Sequence, residues 1–302
     1  AIETKAILKI GLKIPFLSSI FKKKLRQAAG FGSNRFSISG AAPINPKILE
    51  FFHYLGIPIY EGYGMTENTA GISINYGGGN KIGSVGKCMP FFDLKIASDG
   101  EVLIKGDNVM KGYYKNPKAT EETIIDGWLQ TGDVGKIDSD GYLFITGRKK
   151  EIYVSSSGKN VAPLVIEESM KSIPIVSQCF LVGDNRKFCS ALITLDMSVI
   201  LRDNIGVDVN EIPKDPSKQN EMILANNKKL SDYTDSQDIF EKVSDDIQKL
   251  NQNFSSPEQI KKFSILPRDF SIDDGELTPT LKIRRKQINE NWASVIEAMY
   301  SE

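Results

Sequence analysis

Over residues 36–60 the chain spells out a strand, a small-residue loop, a helix and a second strand, and this grammar constrains the fold most. Phe36-Ser37-Ile38-Ser39 alternates like a short strand, and Gly40-Ala41-Ala42-Pro43 forms the loop that leaves it. Asn45 then Pro46 is a helix start. The asparagine offers a side-chain acceptor at the N-cap, and proline occupies the first helical position, where no amide hydrogen is needed. Ile48, Phe51, Phe52 and Leu55 recur at helical spacing, which predicts one buried face. Gly56 stops the helix, and residues 57–60 read as the next strand. Parallel strands need such a crossover, so this part belongs to an αβ layer with a mostly parallel sheet.

The next strand opens into Glu61-Gly62-Tyr63-Gly64-Met65-Thr66-Glu67. Its two glycines would let backbone approach a ligand closely. Thr66 offers a hydroxyl to a phosphate oxygen, and Glu67 a carboxylate to Mg²⁺, a hard cation that prefers oxygen ligands. From Gly83 the pattern turns to short β-runs. Residues 101–106 follow a Ser98-Asp99-Gly100 turn, and 109–114 carry on to a break at Asn116-Pro117. Asp133 stands on a glycine turn in Thr131-Gly132-Asp133. Residues 134–137 and 142–145 flank Asp138-Ser139-Asp140-Gly141, a hairpin signal. Strands at this spacing predict a small antiparallel barrel or sheet appended to the parallel one.

At Gly147-Arg148-Lys149-Lys150-Glu151 the composition shifts toward helix formers and polar residues, which marks a hinge between domains. Beyond it, 165–172 read as helix, and 175–183 and 191–195 as strands. Residues 203–235 read as an exposed, partly mobile insertion. Ile239, Phe240, Val243, Ile247, Leu250 and Phe254 predict an amphipathic helix, Pro257 a helix start, and 263–266 a strand. Ile288, Trp292, Val295, Ile296 and Met299 share one face of a last helix.

Several classes are excluded or disfavoured. Lys+Arg and Asp+Glu both number 38, so long-range attraction to nucleic acid has no support. The one histidine, His53, rules out a Ser-His-Asp relay or a multi-histidine metal site, and reads as a structural or surface residue. Three scattered cysteines, Cys88, Cys179 and Cys189, point to reduced, partly buried thiols in an intracellular protein. No apolar run reaches the ~20 residues of a membrane span. Residues 1–25 alternate apolar residues with lysine; they read as a domain helix, with an interfacial amphipathic helix as the alternative.

Taken in order, Ser39-Gly40-Ala41-Ala42-Pro43, Tyr63-Gly64-Met65-Thr66-Glu67, Gly100-Glu101-Val102-Leu103-Ile104-Lys105-Gly106, Thr131-Gly132-Asp133, Gly147-Arg148-Lys149-Lys150 and Pro279-Thr280-Leu281-Lys282-Ile283 resemble the motif series of adenylate-forming (AMP-binding) enzymes. Val109-Met110-Lys111-Gly112-Tyr113-Tyr114-Lys115-Asn116-Pro117, Gly158-Lys159-Asn160-Val161-Ala162-Pro163 and Leu277-Thr278-Pro279-Thr280-Leu281-Lys282 extend the resemblance to long-chain fatty-acid-CoA ligases. It implies an α/β chain. Residues 1–147 would be the remainder of a large adenylate-forming domain, with a parallel αβ sheet part over 1–82 and a small antiparallel β-barrel over 83–147. A smaller, mobile α+β C-terminal domain would follow over 148–302.

The resemblance also implies roles. Gly40, Ala41, Ala42 and Pro43 would line the adenine, facing Glu61, Gly62 and Tyr63, with Gly64, Met65 and Ile145 beside the nucleotide. Thr66 would meet the α-phosphate and Glu67 would hold Mg²⁺. Asp133 would accept from the ribose hydroxyls, which Arg148 would also contact. Lys150 would be the pivot, and Lys282 would bridge the substrate carboxylate and the α-phosphate during adenylation. Ser155-Ser156-Ser157-Gly158-Lys159 would form the face presented to CoA. The implied activity is ATP-dependent conversion of a long-chain fatty acid to acyl-AMP and then acyl-CoA, in the cytoplasm or peripherally on a cytoplasmic membrane face.

Residues 1–35 hold nothing like the family's Ser/Thr/Gly-rich phosphate loop, whose backbone N–H groups cradle the β- and γ-phosphates. The chain is therefore expected to be the C-terminal part of a synthetase, inactive alone. An adenylating enzyme that loads a carrier protein, and a non-catalytic nucleotide-binding module, remain as alternatives.

Overall fold

In the computed structural model, which describes residues 15–154 and 158–301, the chain divides into two units, 1–149 and 150–302. Residues 1–14 of the expected N-terminal amphipathic stretch, and Ser155, Ser156 and Ser157 of the expected CoA face, lie outside the described residues.

Among the described residues, the first unit opens with helix Pro15–Ala28 and then delivers the expected crossover. Strand β1 (Ser37–Ser39) leads through the 40–43 loop to helix Pro46–Tyr54, capped by Asn45, whose side chain accepts from the Lys47 amide. Strand β2 (Ile59–Tyr63) returns parallel to β1, with Ser39 opposite Glu61. It is one strand where two were expected, so Glu61, Gly62 and Tyr63 are its last residues rather than a loop. The helix buries Leu49, whereas Ile48 and Phe51 are 48% and 57% exposed, so the expected buried face is rotated. Phe52 instead meets Phe31 edge-on, with ring centroids 6.1 Å apart. β3 (Ser73–Ile74) and β4 (Lys87–Cys88) extend this sheet antiparallel, in the order β1-β2-β3-β4.

The rest of the first unit is a five-stranded antiparallel sheet. Its strands are β5 (Asp93–Ile96), β6 (Glu101–Lys105), β7 (Ile124–Ile125), β8 (Trp128–Ile137) and β9 (Leu143–Arg148). Its path is β5-β6-β8-β7, with β9 pairing on β8, and among the described residues no ladder closes β5 onto β9. Ile72, Val102, Ile104, Leu129 and Leu143 form its core, each contributing about 1.5–3 kcal/mol by burial. Residues 109–114 are loop rather than strand, and Asn116 caps the short helix Pro117–Thr123.

In the second unit a hairpin, β10 (Tyr153–Val154) with β11 (Asn160–Val161), precedes helix Pro163–Met170. Strands β12 (Val176–Val182), β13 (Cys189–Leu195) and β14 (Ile260–Ile265) make a sheet buried on both faces. Successive side chains of β12 point to opposite sides. Cys179 and Leu181 therefore join one core, with Met170, Ile193, Ile223, Val243 and Ile247. Phe180 and Val182 join another, with Leu192, Leu266, Ile288 and Ile296.

Three sequence expectations change here. Residues 203–235 are not an exposed insertion: they include helix Pro216–Ala225, and Ile223 and Tyr233 are core residues. Pro257 opens only the single turn Ser256–Glu258, because strand β14 follows at once, parallel to β13. The last helix is two, Arg285–Asn291 and Ala293–Tyr300, broken at Trp292; its apolar residues still share one cluster.

Candidate functional site

The two parallel strands carry both expected adenine-facing segments at their C-terminal ends, where ligands of α/β sheets bind. The loop after β1 holds Gly40, Ala41, Ala42 and Pro43, all exposed, with Ala41 in the left-handed region at φ 69°. Glu61 does not present its carboxylate as an open wall. It is buried, and its Oε1 accepts from the Ile44 amide at 3.4 Å, so it tethers the end of the loop to β2. Burial pushes its pKa up, against the backbone hydrogen bonds of Ile44 and Gly83. Its Oε2 is buried with no hydrogen-bond partner among the described residues.

Packing alone demands a glycine at position 64. A Cβ there would lie 2.2 Å from the Ala70 carbonyl oxygen. That contact closes the turn Thr66–Asn68, in which Met65 donates its amide to the Asn68 side chain at 2.8 Å. Thr66 is exposed and Glu67 half-buried at the tip. The 107–113 loop straps this turn from outside. Met110 donates its amide to the Glu67 carbonyl (2.7 Å), and the Asn108 side chain donates to the carbonyls of Asn68 and Gly71. The Tyr113 hydroxyl donates to Glu67 Oε1 at 2.9 Å. No spacing rule singles out Tyr113; only the folded loop brings it to Glu67.

Asp133 lies inside β8, 5% exposed, rather than on a turn tip. Its two oxygens are aimed separately. Tyr63, at the end of β2, donates its hydroxyl to Oδ2 at 2.6 Å, and Arg148, opposite on β9, donates from Nε to Oδ1 at 2.9 Å. Burial and the Asp133 charge push the Tyr63 phenol well above its ordinary range, so it stays a donor. A carboxylate has about four acceptor positions, so both oxygens keep capacity for a ligand hydroxyl. Ile145, on β9, packs with Tyr63 and Met65 against the core beneath. The first unit thus brings together residues 40–43, 61–67, 133, 145 and 148.

Lys149, the last residue of the first unit, is anchored to it. Its Nζ lies 2.6 Å from Asp99 and 2.8 Å from Glu101, and its amide donates to the Gly132 carbonyl at 2.7 Å. Hydrogen bonds to Asp99 and Glu101 raise its pKa above the ordinary lysine value. Lys150, exposed, begins the second unit, which also holds Gly158, Lys159 and Lys282. Lys282 is exposed near the tip of a tight hairpin. Thr278 donates its amide to the Lys282 carbonyl (2.8 Å) and accepts the Lys282 amide on Oγ1 (3.0 Å). Leu281 takes φ 60° beside it. The hairpin base rests on Glu276, fully buried. That carboxylate accepts from Arg268 twice, the Ser271 amide, Asn291 and Trp292 Nε1.

The first unit sets an exposed loop at the ends of two parallel strands beside the doubly held Asp133 carboxylate, and the second unit carries the Lys282 hairpin. Residues 13–114 match the family described as AMP-binding enzyme, and residues 150–205 and 216–302 match the AMP-binding enzyme C-terminal domain. The chain belongs to the AMP-binding enzyme family. It is 42% identical over 285 residues to the long-chain-fatty-acid–CoA ligase FadD15 of Mycobacterium bovis, covering 92% of this chain and 44% of that protein. The chain thus spans less than half the length of that relative.

Among solved structures, the A-PCP didomain of a carboxylic acid reductase from Segniliparus rugosus, in complex with AMP, superposes with TM-score 0.69. It is 22% identical and covers 98% of this chain and 39% of its own. The O-succinylbenzoate coenzyme A synthetase of Bacillus subtilis with ATP and magnesium gives 0.59 at 24% identity, covering 84% and 46%. These two likenesses establish the α/β adenylate-forming fold.

The residues fit the groups this family handles. Glu61 Oε2 is an orphaned buried acceptor beside the 40–44 loop, suited to an exocyclic amine. Among the described residues there is no cluster of three or more potential metal ligands. Mg²⁺ does not need one, since it keeps several waters and is held by one or two carboxylates plus substrate phosphates, a set that Glu67 can start. No described helix is long and apolar enough to cross a membrane.

Proposed function

We propose that this chain carries the adenine, ribose and magnesium side of an acyl-adenylating site, together with its mobile lysine-bearing domain, in a long-chain fatty-acid–CoA ligase. The observation that carries the reading is Asp133, whose two oxygens are pre-aimed by Tyr63 and Arg148 to accept ribose hydroxyls. In this reading Ala41 to Pro43 flank the adenine, Glu61 accepts from its amino group, and Thr66 donates to the α-phosphate.

The reaction runs in two halves. A fatty-acid carboxylate oxygen attacks the α-phosphorus of ATP, and pyrophosphate leaves with the electron pair of the broken P–O bond. CoA thiolate then attacks the acyl carbon and AMP departs. Both partners of the first half are anions, so the site needs cations aimed at the charge of the transition state. Lys282 supplies one by bridging carboxylate and α-phosphate. Mg²⁺, when bound at Glu67, supplies charge neutralisation on the phosphates. Lys150 is the pivot that withdraws Lys282 before CoA attacks.

The 302 residues alone are expected to give no fatty-acid-dependent ATP–pyrophosphate exchange, and robust exchange would refute that. In an enzyme that joins these residues to a phosphate-binding loop, Lys282→Ala should abolish exchange while acyl transfer from preformed acyl-AMP to CoA survives. Transfer to a carrier protein in preference to CoA would overturn the CoA-ligase assignment.

A further inference from the structure

A pivot moves Lys282 usefully only if the path from pivot to lysine is stiff. The lysine hairpin is closed by the Leu277–Ile283 bridge and by the Arg284 amide, which donates to the Glu276 carbonyl at 2.8 Å. Next in sequence, Arg285 starts helix Arg285–Asn291 and turns its guanidinium inward, over the Phe180 ring at 5.3 Å. Its two terminal nitrogens meet Glu167 at 2.9 and 2.6 Å, a fork-to-fork pair. Glu167 is 2% exposed and also accepts the Leu181 amide at 2.8 Å, which fixes it to β12. The remaining nitrogen, Nε, donates to Glu151 at 3.2 Å. One guanidinium therefore joins the residue after Lys150 to the residues beside Lys282, across 134 positions of sequence.

We propose that Arg285 is a positioning residue that ties the backbone at Glu151, next to the pivot, to the Lys282 hairpin, so that lysine and hinge move as one piece. This rests on the reading of Lys282 as the adenylation lysine and Lys150 as the pivot. The arms of the cluster differ in purpose. The Glu167 arm is buried and bidentate, and holds Arg285 in the fold. The Glu151 arm is single, longer and at a side chain one-third exposed, so it can be cut without unfolding the unit.

The test uses Glu151→Ala, with Glu151→Gln as the conservative variant that keeps an acceptor but loses the charge. In the 302-residue chain, hydrogen exchange at the amides of Thr278 and of residues 280–284 should speed up at least fivefold in Glu151→Ala and recover partly in Glu151→Gln. Exchange in β12 and β13 should stay within twofold. In an enzyme that joins these residues to a phosphate-binding loop, Glu151→Ala should lower kcat for pyrophosphate exchange about tenfold, with the KM for ATP within twofold. Arg285→Lys, which keeps charge but loses the planar fork, should give both effects.

The coupling holds only if both readouts move. Loosening confined to residues 151–154, or unchanged kcat, overturns it and leaves Arg285 as packing alone. If Lys282→Ala leaves exchange intact, the functional reading fails instead, whatever the Glu151 variants do.

Discussion

Tyr63 and Asp133, 70 positions apart, meet at 2.6 Å where the end of β2 reaches β8. This bond links the mixed sheet to the antiparallel one inside the first unit and sets the direction of one carboxylate oxygen. Tyr63→Phe removes the donor and leaves Asp133 under-satisfied, at a cost of roughly 1–3 kcal/mol in stability. AMP affinity should fall about tenfold, equivalent to ~1.4 kcal/mol. Asp133→Asn should do more, since the amide loses the charge and turns one arm into a donor. Titration calorimetry with AMP separates the outcomes, and equal affinity in all three proteins would remove Asp133 from the ribose site.

Gly64→Ala tests whether the first glycine-rich motif is a packing device. The added methyl would meet the Ala70 carbonyl at 2.2 Å, with backbone on both sides and no side chain to swing away. The substitution should cost roughly 3 kcal/mol, the upper range for overpacking. Because the strain sits in the first unit, a denaturant melt followed at Trp128 should shift, while Trp292 reports an unchanged second unit. A shift below about 0.5 kcal/mol would mean that the turn relaxes and that Gly64 serves the ligand after all.

The parts legible in sequence were those written in short-range chemistry. Asn45-Pro46 and the Asp138 hairpin are cap and turn signals that act over a few residues, and both formed as read, whereas Asn116-Pro117, read only as a break, starts a short helix. The polar stretch 203–235 misled because average composition hides single apolar residues: Ile223 and Tyr233 enter the core alone, between solvated neighbours. Tyr113 beside Glu67, Arg285 between Glu151 and Glu167, and the five donors around Glu276 were invisible for another reason. Their partners are brought together by loops and sheet register, and no spacing in the sequence encodes those. Asp133 was legible as an acid near a glycine but not as a buried strand residue, because its two donors come from other strands.

Glu276 predicts an acid-sensitive second unit. Burial alone would raise its pKa, but hydrogen bonds from Arg268, Asn291, the Ser271 amide and Trp292 outweigh that and hold it below the ordinary 4.5. A carboxyl whose folded pKa is depressed contributes stability above its unfolded pKa and loses it as pH falls through the folded one. The second unit should therefore be at full strength above about pH 5 and weaken progressively below 4.5. Glu276→Gln should flatten this dependence and lower stability at pH 7 by roughly 1–3 kcal/mol, because the buried site loses its charged acceptor while Arg268, partly exposed, keeps Asp274. Thermal melts at pH 7, 5 and 3.5 check both slope and offset; parallel curves for the two proteins would show that another group carries the acid response.

The anchoring of Lys149 decides where the pivot can be probed. Its amide donates to Gly132 and its ammonium sits between Asp99 and Glu101, so proline at 149 would damage the first unit directly. Proline at 150 avoids that hydrogen bond, fixes φ near −65° and narrows the choices of the preceding residue. Lys150→Pro should therefore leave AMP binding by this chain within about twofold, since Asp133, Tyr63 and Arg148 all precede it. In an enzyme that joins these residues to a phosphate-binding loop, the same change should impair at least one half-reaction at least tenfold, by holding the domain in too few orientations. Pyrophosphate exchange and acyl transfer from preformed acyl-AMP measure the two halves separately. Survival of both at full rate would show that the turn between units lies elsewhere than Lys150.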